Sequence, residues 1–333
     1  MLKKYHFLND INDHRILCAA EVYAEQVGHD IVFITSDALQ YLFALKMPHL
    51  MAVCPSQDEI VKEEWSGWDK YYPNESEMAM LYSDPKMNIL KCKTNEFAKI
   101  YDDANLKDIL FWDGHEYRRL KYKEFVAPTG ERIVPRNIEQ KMYLDLLQND
   151  EIPIKLCIGR FGTGKSMFAE TWATYQLQQG KYDKIVFVKN NLDVKGAGKL
   201  GTLPGDEIAK QYPYLRQIED HLGTQLFEEY LDDGRIEPAH LSTLRGRDLK
   251  HCIILVDEAE NLLTTNIQLL LGRVAEDSQI IFCADVKQCD YKDEKMSGIP
   301  KLIEKLSGNP LFGMVKLIKS ERSAIAATAD LLD

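Results

Sequence analysis

The chain lacks most of the features that would place it outside the cell or in a membrane. Its N-terminus, "MLKKYHFLND", has no apolar run of the kind that builds a secretory signal peptide. The most apolar early stretch, "ALQYLFALKMPHLMAV", is broken by Lys46, Pro48 and His49, so no membrane span is read there. Seven cysteines (18, 54, 92, 157, 252, 283 and 289) form no C-x-x-C pair, and several sit inside apolar runs. That pattern points to neither a disulfide framework nor a cysteine-ligated zinc module, and reads as reduced core thiols. No internal repeat or low-complexity tract is present. Positive charge is in deficit: 41 Lys and Arg against 52 Asp and Glu leave a net charge of −11 over 333 residues. A protein coating nucleic acid through a uniformly basic surface is therefore excluded, although a local basic groove is not.

Two segments could supply such a groove. In "EYRRLKYKEF", Tyr117 and Tyr122 interleave with Arg118, Arg119, Lys121 and Lys123; "VKNNLDVKGAGKLG" joins glycines to Lys189, Lys195 and Lys199. The alternatives are a solvated edge strand and an ordinary loop.

What is present begins with 45% hydrophobic residues, enough for a substantial core in one or two domains. Residues 12 to 54 alternate helix, strand, helix, strand ("NDHRILCAAEVYAEQVG", "IVFIT", "SDALQYLFALK", "HLMAVC"), the rhythm of a parallel sheet. Residues 56 to 128 turn polar and aromatic, with short β-like pieces ("KMNILKCKT", "EFAKIYD", "ILFWDGHEYRRLKY") and a turn at Asp113 and Gly114. From Val134 the α/β rhythm returns, with strands at "IKLCI", "KIVFV", "CIILV" and "QIIFCA". The expected fold is α/β: a doubly wound, mostly parallel sheet over 129–333, preceded by a β-rich linking module over 59–128 and an α/β segment over 1–58.

The sharpest local signal is "GRFGTGKS", Gly159 to Ser166, which matches G-x-x-x-x-G-K-[ST] between an apolar strand and a helix. Its glycines let backbone N–H groups and the helix N-terminus turn toward phosphates. Gly159, Gly162, Thr163, Gly164, Lys165, Ser166 and Met167 are the candidate nucleotide contacts, Lys165 neutralising β- and γ-phosphate charge and Ser166 ligating Mg²⁺. A glycine turn without ligand is the alternative. "HCIILVDEAENLL" ends an apolar strand in Asp257, a candidate Mg²⁺ ligand, and Glu258, a candidate base for the attacking water. "IIFCADVKQCD" puts Asp285 and Gln288 past a third strand, where Gln288 could sense the γ-phosphate. Positive charge at the departing phosphate could come from Arg245, Arg247, Arg273 or Arg322; salt bridging is the alternative for each.

In order, "PRNIEQK", "GRFGTGKS", "KLGTLPGDEIAKQYPYLRQIED", "LRGRDL", "VDEAENLL", "LLLGR", "ADVKQCD" and "SERSAIA" resemble the PhoH-like family of ATPases, whose core is similar to superfamily 1 helicases. The resemblance runs from about Pro135 to the C-terminus. It implies an ATP- and Mg²⁺-dependent nucleic-acid motor, with single-stranded RNA as the expected partner and a homo-oligomer, in the form of a ring, as the expected assembly. An ATP-dependent switch or scaffold that unwinds nothing is the alternative. Gln140 would read the adenine edge, and "KLGTLPGD" is a candidate nucleic-acid or subunit contact. The chain departs from the pattern at Arg160, Phe161, Lys189, Asn190 and Ala284, and at Glu260, which stands where a glutamine is usual and cannot donate a hydrogen bond when ionised. Residues 12 to 54 resemble the second half of a PIN-type nuclease. Asp13 ("DHRIL") and Asp37 ("TSD") would be conditional metal ligands, dependent on carboxylates from a partner chain, because only twelve residues precede Asp13. Helix capping is the alternative for both aspartates. No membrane partner is expected, and the location implied is cytoplasmic, in a host's cytoplasm if the chain is of phage origin.

Overall fold

A computed structural model describes residues 12–35, 37–53, 65–189, 207–289 and 296–321. Two compact units, 1–64 and 65–333, make up the chain.

In the first unit, α1 (Asn12–Val27) is followed by β1 (Ile31–Ile34), α2 (Ala38–Ala44) and β2 (Leu50–Val53). Leu17, Cys18, Glu21 and Ala24 recur at helical spacing and form the buried face of α1. β1 and β2 pair in parallel, Ile31 opposite Leu50 and Ile34 opposite Val53. Ile31, Phe33, Leu50 and Ala52 face the helices. The alternate residues Val32, Ile34, Met51 and Val53 share the other face of the ribbon and are exposed. Among the described residues no helix lies over this apolar face.

The second unit opens with β3 (Trp68–Tyr71), α3 (Glu75–Ser83), β4 (Glu96–Asp102), β5 (Asn105–Trp112) and β6 (Tyr117–Arg119). The four strands form one sheet in the order β3-β4-β5-β6. The expected strand over "KMNILKCKT" is absent. Asn88 closes a local loop there, accepting from the Cys92 N–H at 2.9 Å and donating to the Cys92 carbonyl at 2.8 Å, and Lys91 takes a left-handed φ of 57°. α3 also breaks the β-rich expectation; Asn74 and Glu77 cap it reciprocally.

A short hairpin, β7 (Phe125–Val126) and β8 (Arg132–Ile133), leads into α4 (Ile138–Leu147), β9 (Ile154–Gly159), α5 (Lys165–Gln178), β10 (Lys184–Lys189), α6 (Glu207–Leu222), α7 (Thr224–Asp232), β11 (Ile236–Ala239), β12 (Cys252–Asp257), α8 (Thr264–Leu271), β13 (Gln279–Ala284), α9 (Ile299–Leu306) and β14 (Phe312–Leu317). Six of these strands form a parallel sheet in the order β11-β10-β12-β13-β9-β14. Strand residues alternate between two cores. Cys157, Phe187, Leu255 and Cys283 join the core that includes α4 to α7, while Leu156, Val188, Val256 and Phe282 join the one that includes α8 and α9. The sheet is doubly wound, as expected. β11 carries Pro238, which an edge strand tolerates because no ladder donor is required on its open side.

The small sheet is tied into the same unit. Trp68 Nε1 donates to the Lys316 carbonyl at 2.9 Å, and Asn95 Nδ2 donates to the carbonyls of Pro310 (2.8 Å) and Phe312 (2.9 Å). These bonds cover the edge strand β14, which would otherwise present unpaired backbone groups. Gly67, at φ +79°, runs so close to the Met314 carbonyl that a Cβ would collide with it. On α4, the buried Asp145 accepts from Arg118 Nη2 at 2.8 Å and from the Tyr122 N–H at 3.1 Å. Among the described residues no helix is long and apolar enough to cross a membrane.

Candidate active site

The site forms where β9, β12 and β13 end. Their register puts Ile158 beside Ala284 and Lys189 beside Asp257, so the phosphate loop and both acidic segments leave the sheet at one edge. Ligands in open parallel sheets bind outside these carboxyl ends.

The loop needs its glycines. Gly162 (φ +79°) and Gly164 (φ +92°) lie in the left-handed region. A Cβ on Gly159 would fall 2.4 Å from Thr163 Oγ1, and one on Gly164 would press on Gln140 Nε2 and the Phe168 ring. Inside the loop, Thr163 donates twice to the Arg160 carbonyl, from N–H at 3.2 Å and from Oγ1 at 2.8 Å. α5 starts directly at Lys165, so its free N–H groups and dipole face the loop. Ser166 Oγ donates to Asp257 Oδ1 at 3.0 Å, which unites the two expected metal ligands across β13. Asp257 is buried at the end of β12, and Glu258 follows in a left-handed conformation, φ 51°. Such a backbone is uncommon outside glycine and re-aims the side chain at the strand terminus.

A hydrogen-bond relay links the three strand ends. Glu260 Oε2 accepts from the Asp285 N–H at 2.9 Å, and Asp285 Oδ2 accepts from the Phe161 N–H in the loop at 2.8 Å. Burial pushes the Glu260 carboxyl up to about 7, against backbone donors that favour its ionised form. Gln288 is exposed at the same edge, its N–H donating to the Asp285 carbonyl at 2.8 Å.

Two contacts lie outside the sequence expectation. The Gln140 amide is turned to the loop itself: Oε1 accepts from the Arg136 N–H at 2.7 Å and Nε2 donates to the Thr163 carbonyl at 3.0 Å. The Glu321 N–H donates to the Gly162 carbonyl at 3.0 Å, and Asn137, the N-cap of α4, donates from Nδ2 to Glu321 Oε1 at 3.0 Å. The position of Asn137 directly before a helical pattern marks it as a cap in the sequence; Glu321 lies in the "SERSAIA" segment that carries the family resemblance, but no spacing there points to its contact with Gly162.

The arginines separate. Arg273 is not brought to the loop: it follows α8 and its carbonyl accepts from the Leu249 N–H at 2.9 Å, ahead of β12 and at the opposite end of the strands. Arg247 forms a bidentate pair with Glu237, whose carboxyl it holds below the usual range. Arg245 is exposed. Arg322, Lys195, Lys199 and "KLGTLPGD" lie outside the described residues. In the first basic segment Tyr117 is buried, its ring tilted against Trp112, and Arg118 is engaged by Asp145 over the Phe111 ring, so the aromatic interleaving is structural; Arg119, Lys121 and Lys123 are exposed. In the first unit Asp37 Oδ1 accepts from the Gln40 N–H at 2.8 Å, an N-cap contact for α2. Asp13 lies in the first turn of α1, and its side chain is not among those described.

Residues 132–329, more than half of the chain, match the family model described as PhoH-like protein. The chain belongs to the PhoH-like family. Protein PhoH2 of Bacillus subtilis is 30% identical over 355 residues, covering 98% of this chain and 79% of that protein. Protein PhoH2 of Thermobispora bispora is 31% identical, covering 95% of this chain and 73% of its own. The PhoH-like protein of Synechocystis is 32% identical over 53% of this chain and 55% of its own length. Among solved structures, flagellar accessory protein FlaH from Methanocaldococcus jannaschii aligns with 45% of this chain and 67% of its own at 16% identity, with a TM-score of 0.28. PhoH-like membership together with the loop geometry makes this a P-loop nucleotide site of the kind that works with a divalent metal, and supports ATPase activity.

Proposed function

We propose that this PhoH-like chain hydrolyses ATP with Mg²⁺ and uses the turnover to drive a helicase or translocase on single-stranded RNA. The observation that carries the ATPase part is the 3.0 Å contact of Ser166 Oγ with Asp257 Oδ1 beside a glycine cradle that any Cβ would fill. That hydroxyl and carboxylate are an oxygen donor set suited to Mg²⁺. When bound, Mg²⁺ draws negative charge off the phosphates. Lys165 supplies the fixed positive charge at the β- and γ-phosphates, and the loop N–H groups and α5 dipole hold them. Glu258 accepts the proton of the attacking water. Gln288, with both a donor and an acceptor, reads the γ-phosphate. Arg273, at the far end of the strands, and Arg322, next in sequence to the Glu321 that is bonded to the loop, are the candidate cations for the departing phosphate, in this site or in a neighbouring subunit's.

The motor reading is supported by the couplings of the loop. Phosphate release that shifts Gly162 or Phe161 acts on Glu321 and Asp285 directly. The exposed Arg119, Lys121 and Lys123 offer cations for an RNA backbone. In a steady-state assay, Mg²⁺-dependent ATP hydrolysis should rise with single-stranded RNA, and Lys165→Ala should abolish it with the circular dichroism unchanged. A normal rate in Lys165→Ala would refute the site.

A second reading, an oligomeric ATP switch without unwinding, is favoured by the bare apolar face of β1 and β2. We propose that another subunit covers this face and that the PIN-like segment gains nuclease competence from Asp13 and Asp37 only if that partner adds carboxylates. An ATPase indifferent to RNA would favour the switch.

A further inference from the structure

We propose that the first unit holds a first-row divalent cation of the Zn²⁺ class between α1 and the start of β2, on Glu21, Glu25 and His49. One ligand atom from each of these side chains lies within 4.8 Å of the other two. A tetrahedral ion with ligands at roughly 2.0–2.2 Å sets them about 3.3–3.6 Å apart. The cluster therefore closes by no more than about 1.5 Å, within the reach of a change of side-chain rotamer on the exposed Glu25.

Proximity of carboxylates alone would carry nothing; Glu21 supplies the independent observation. Its side chain is fully buried, and among the described residues Oε1 has no hydrogen-bond partner. Oε2 receives only a long bond, 3.4 Å, from the His49 N–H. An unpartnered carboxylate oxygen in a protein interior is costly unless a cation or a donor meets it. Within the cluster the only other groups are a second carboxylate and the His49 imidazole, so apart from that ring no side chain of the cluster can bring positive charge to this oxygen. Glu21 and Glu25, four residues apart, project from neighbouring positions on one side of α1.

The histidine is oriented as a ligand. Its Nδ1 lies 3.3 Å from Asp30 Oδ1, the carboxylate contact that fixes the ring of a metal-binding histidine and leaves Nε2 to ligate. Two carboxylates and one imidazole suit Zn²⁺ or Mn²⁺ better than Mg²⁺ or Ca²⁺, which prefer all-oxygen sets, and three protein ligands leave a position for water. The cluster is distinct from the conditional Asp13 and Asp37 pair. Asp37 follows the carboxyl end of β1 and Asp13 opens α1, whereas His49 precedes β2 and Glu25 is near the far end of α1. Bound there, the ion pins the last turns of α1 to the sheet in a unit whose core is small.

The test is Zn²⁺ uptake by the metal-stripped full-length chain, followed by equilibrium dialysis and elemental analysis, with Mn²⁺ and Mg²⁺ as parallel probes. The expected result is about one equivalent of Zn²⁺ that is lost in Glu25→Gln and in His49→Ala, and retained in Lys165→Ala. Glu25 is exposed, so its variant keeps the fold even if Glu21→Gln does not. Asp30→Asn should weaken binding by roughly ten- to a hundredfold. No uptake by the unaltered chain, or equal uptake by Glu25→Gln and His49→Ala, would overturn the proposal and leave water as the partner of Glu21.

Discussion

Glu260 shows how much a single atom of chemistry can matter at this site. Where the family pattern has a glutamine, a carboxyl buried to 3% exposure accepts from the Asp285 N–H, and burial pushes it up to about 7. Near neutrality it is therefore a mixture of a form that can donate and a form that cannot. Because the folded state holds this proton more tightly than the unfolded chain, the stability it contributes is full below about pH 4.5 and is lost as pH rises toward 7. Glu260→Gln should remove that slope and raise stability above pH 7 by about 2 to 3 kcal/mol, which urea midpoints across pH would measure. Glu258 is the complementary case. Glu258→Gln should retain nucleotide binding while turnover falls by roughly a hundred- to ten-thousandfold, read by comparing nucleotide affinity with single-turnover rates.

At the scale of elements, α4 connects the small sheet to the phosphate loop. Its N-terminal end holds the loop through Asn137 and Gln140, and its buried Asp145 holds Arg118 and the backbone of residues 121 and 122. Asp145→Ala leaves a largely buried guanidinium unpaired and should destabilise the 65–333 unit by about 3 to 5 kcal/mol, measurable by chemical denaturation. The long elements of the sheet were legible because their signals are local: β12 and β13 carry continuous apolar runs, β9 is an apolar run interrupted only by Lys155, and the loop between β9 and α5 matches a spaced motif. β11 and β14 escaped because one is interrupted by Pro238 and the other contains Gly313, both poor strand formers that an edge position tolerates. α3 was missed although its capping box, Asn74 and Glu77, is written in the sequence. The roles of Asp285 and Glu321 as anchors of the loop depend on contacts between segments more than 120 residues apart, which no spacing rule encodes.

For the whole molecule, the apolar face of Val32, Ile34, Met51 and Val53 is the feature least suited to a solitary chain. Val32→Lys with Met51→Glu should lower the native mass seen by sedimentation equilibrium while leaving basal ATP turnover intact. An unchanged mass would place the assembly contact elsewhere. The central claim is that residues 129–333 couple a Ser166 and Asp257 metal site to nucleic acid. The most direct measurement is the Mg²⁺-dependent ATPase rate of the full chain and of Lys165→Ala, each with and without single-stranded RNA. The account expects an RNA-stimulated rate that Lys165→Ala lowers by at least about a hundredfold in both conditions. A Lys165→Ala rate equal to that of the unaltered chain, or an unaltered chain with no Mg²⁺-dependent hydrolysis, would contradict it.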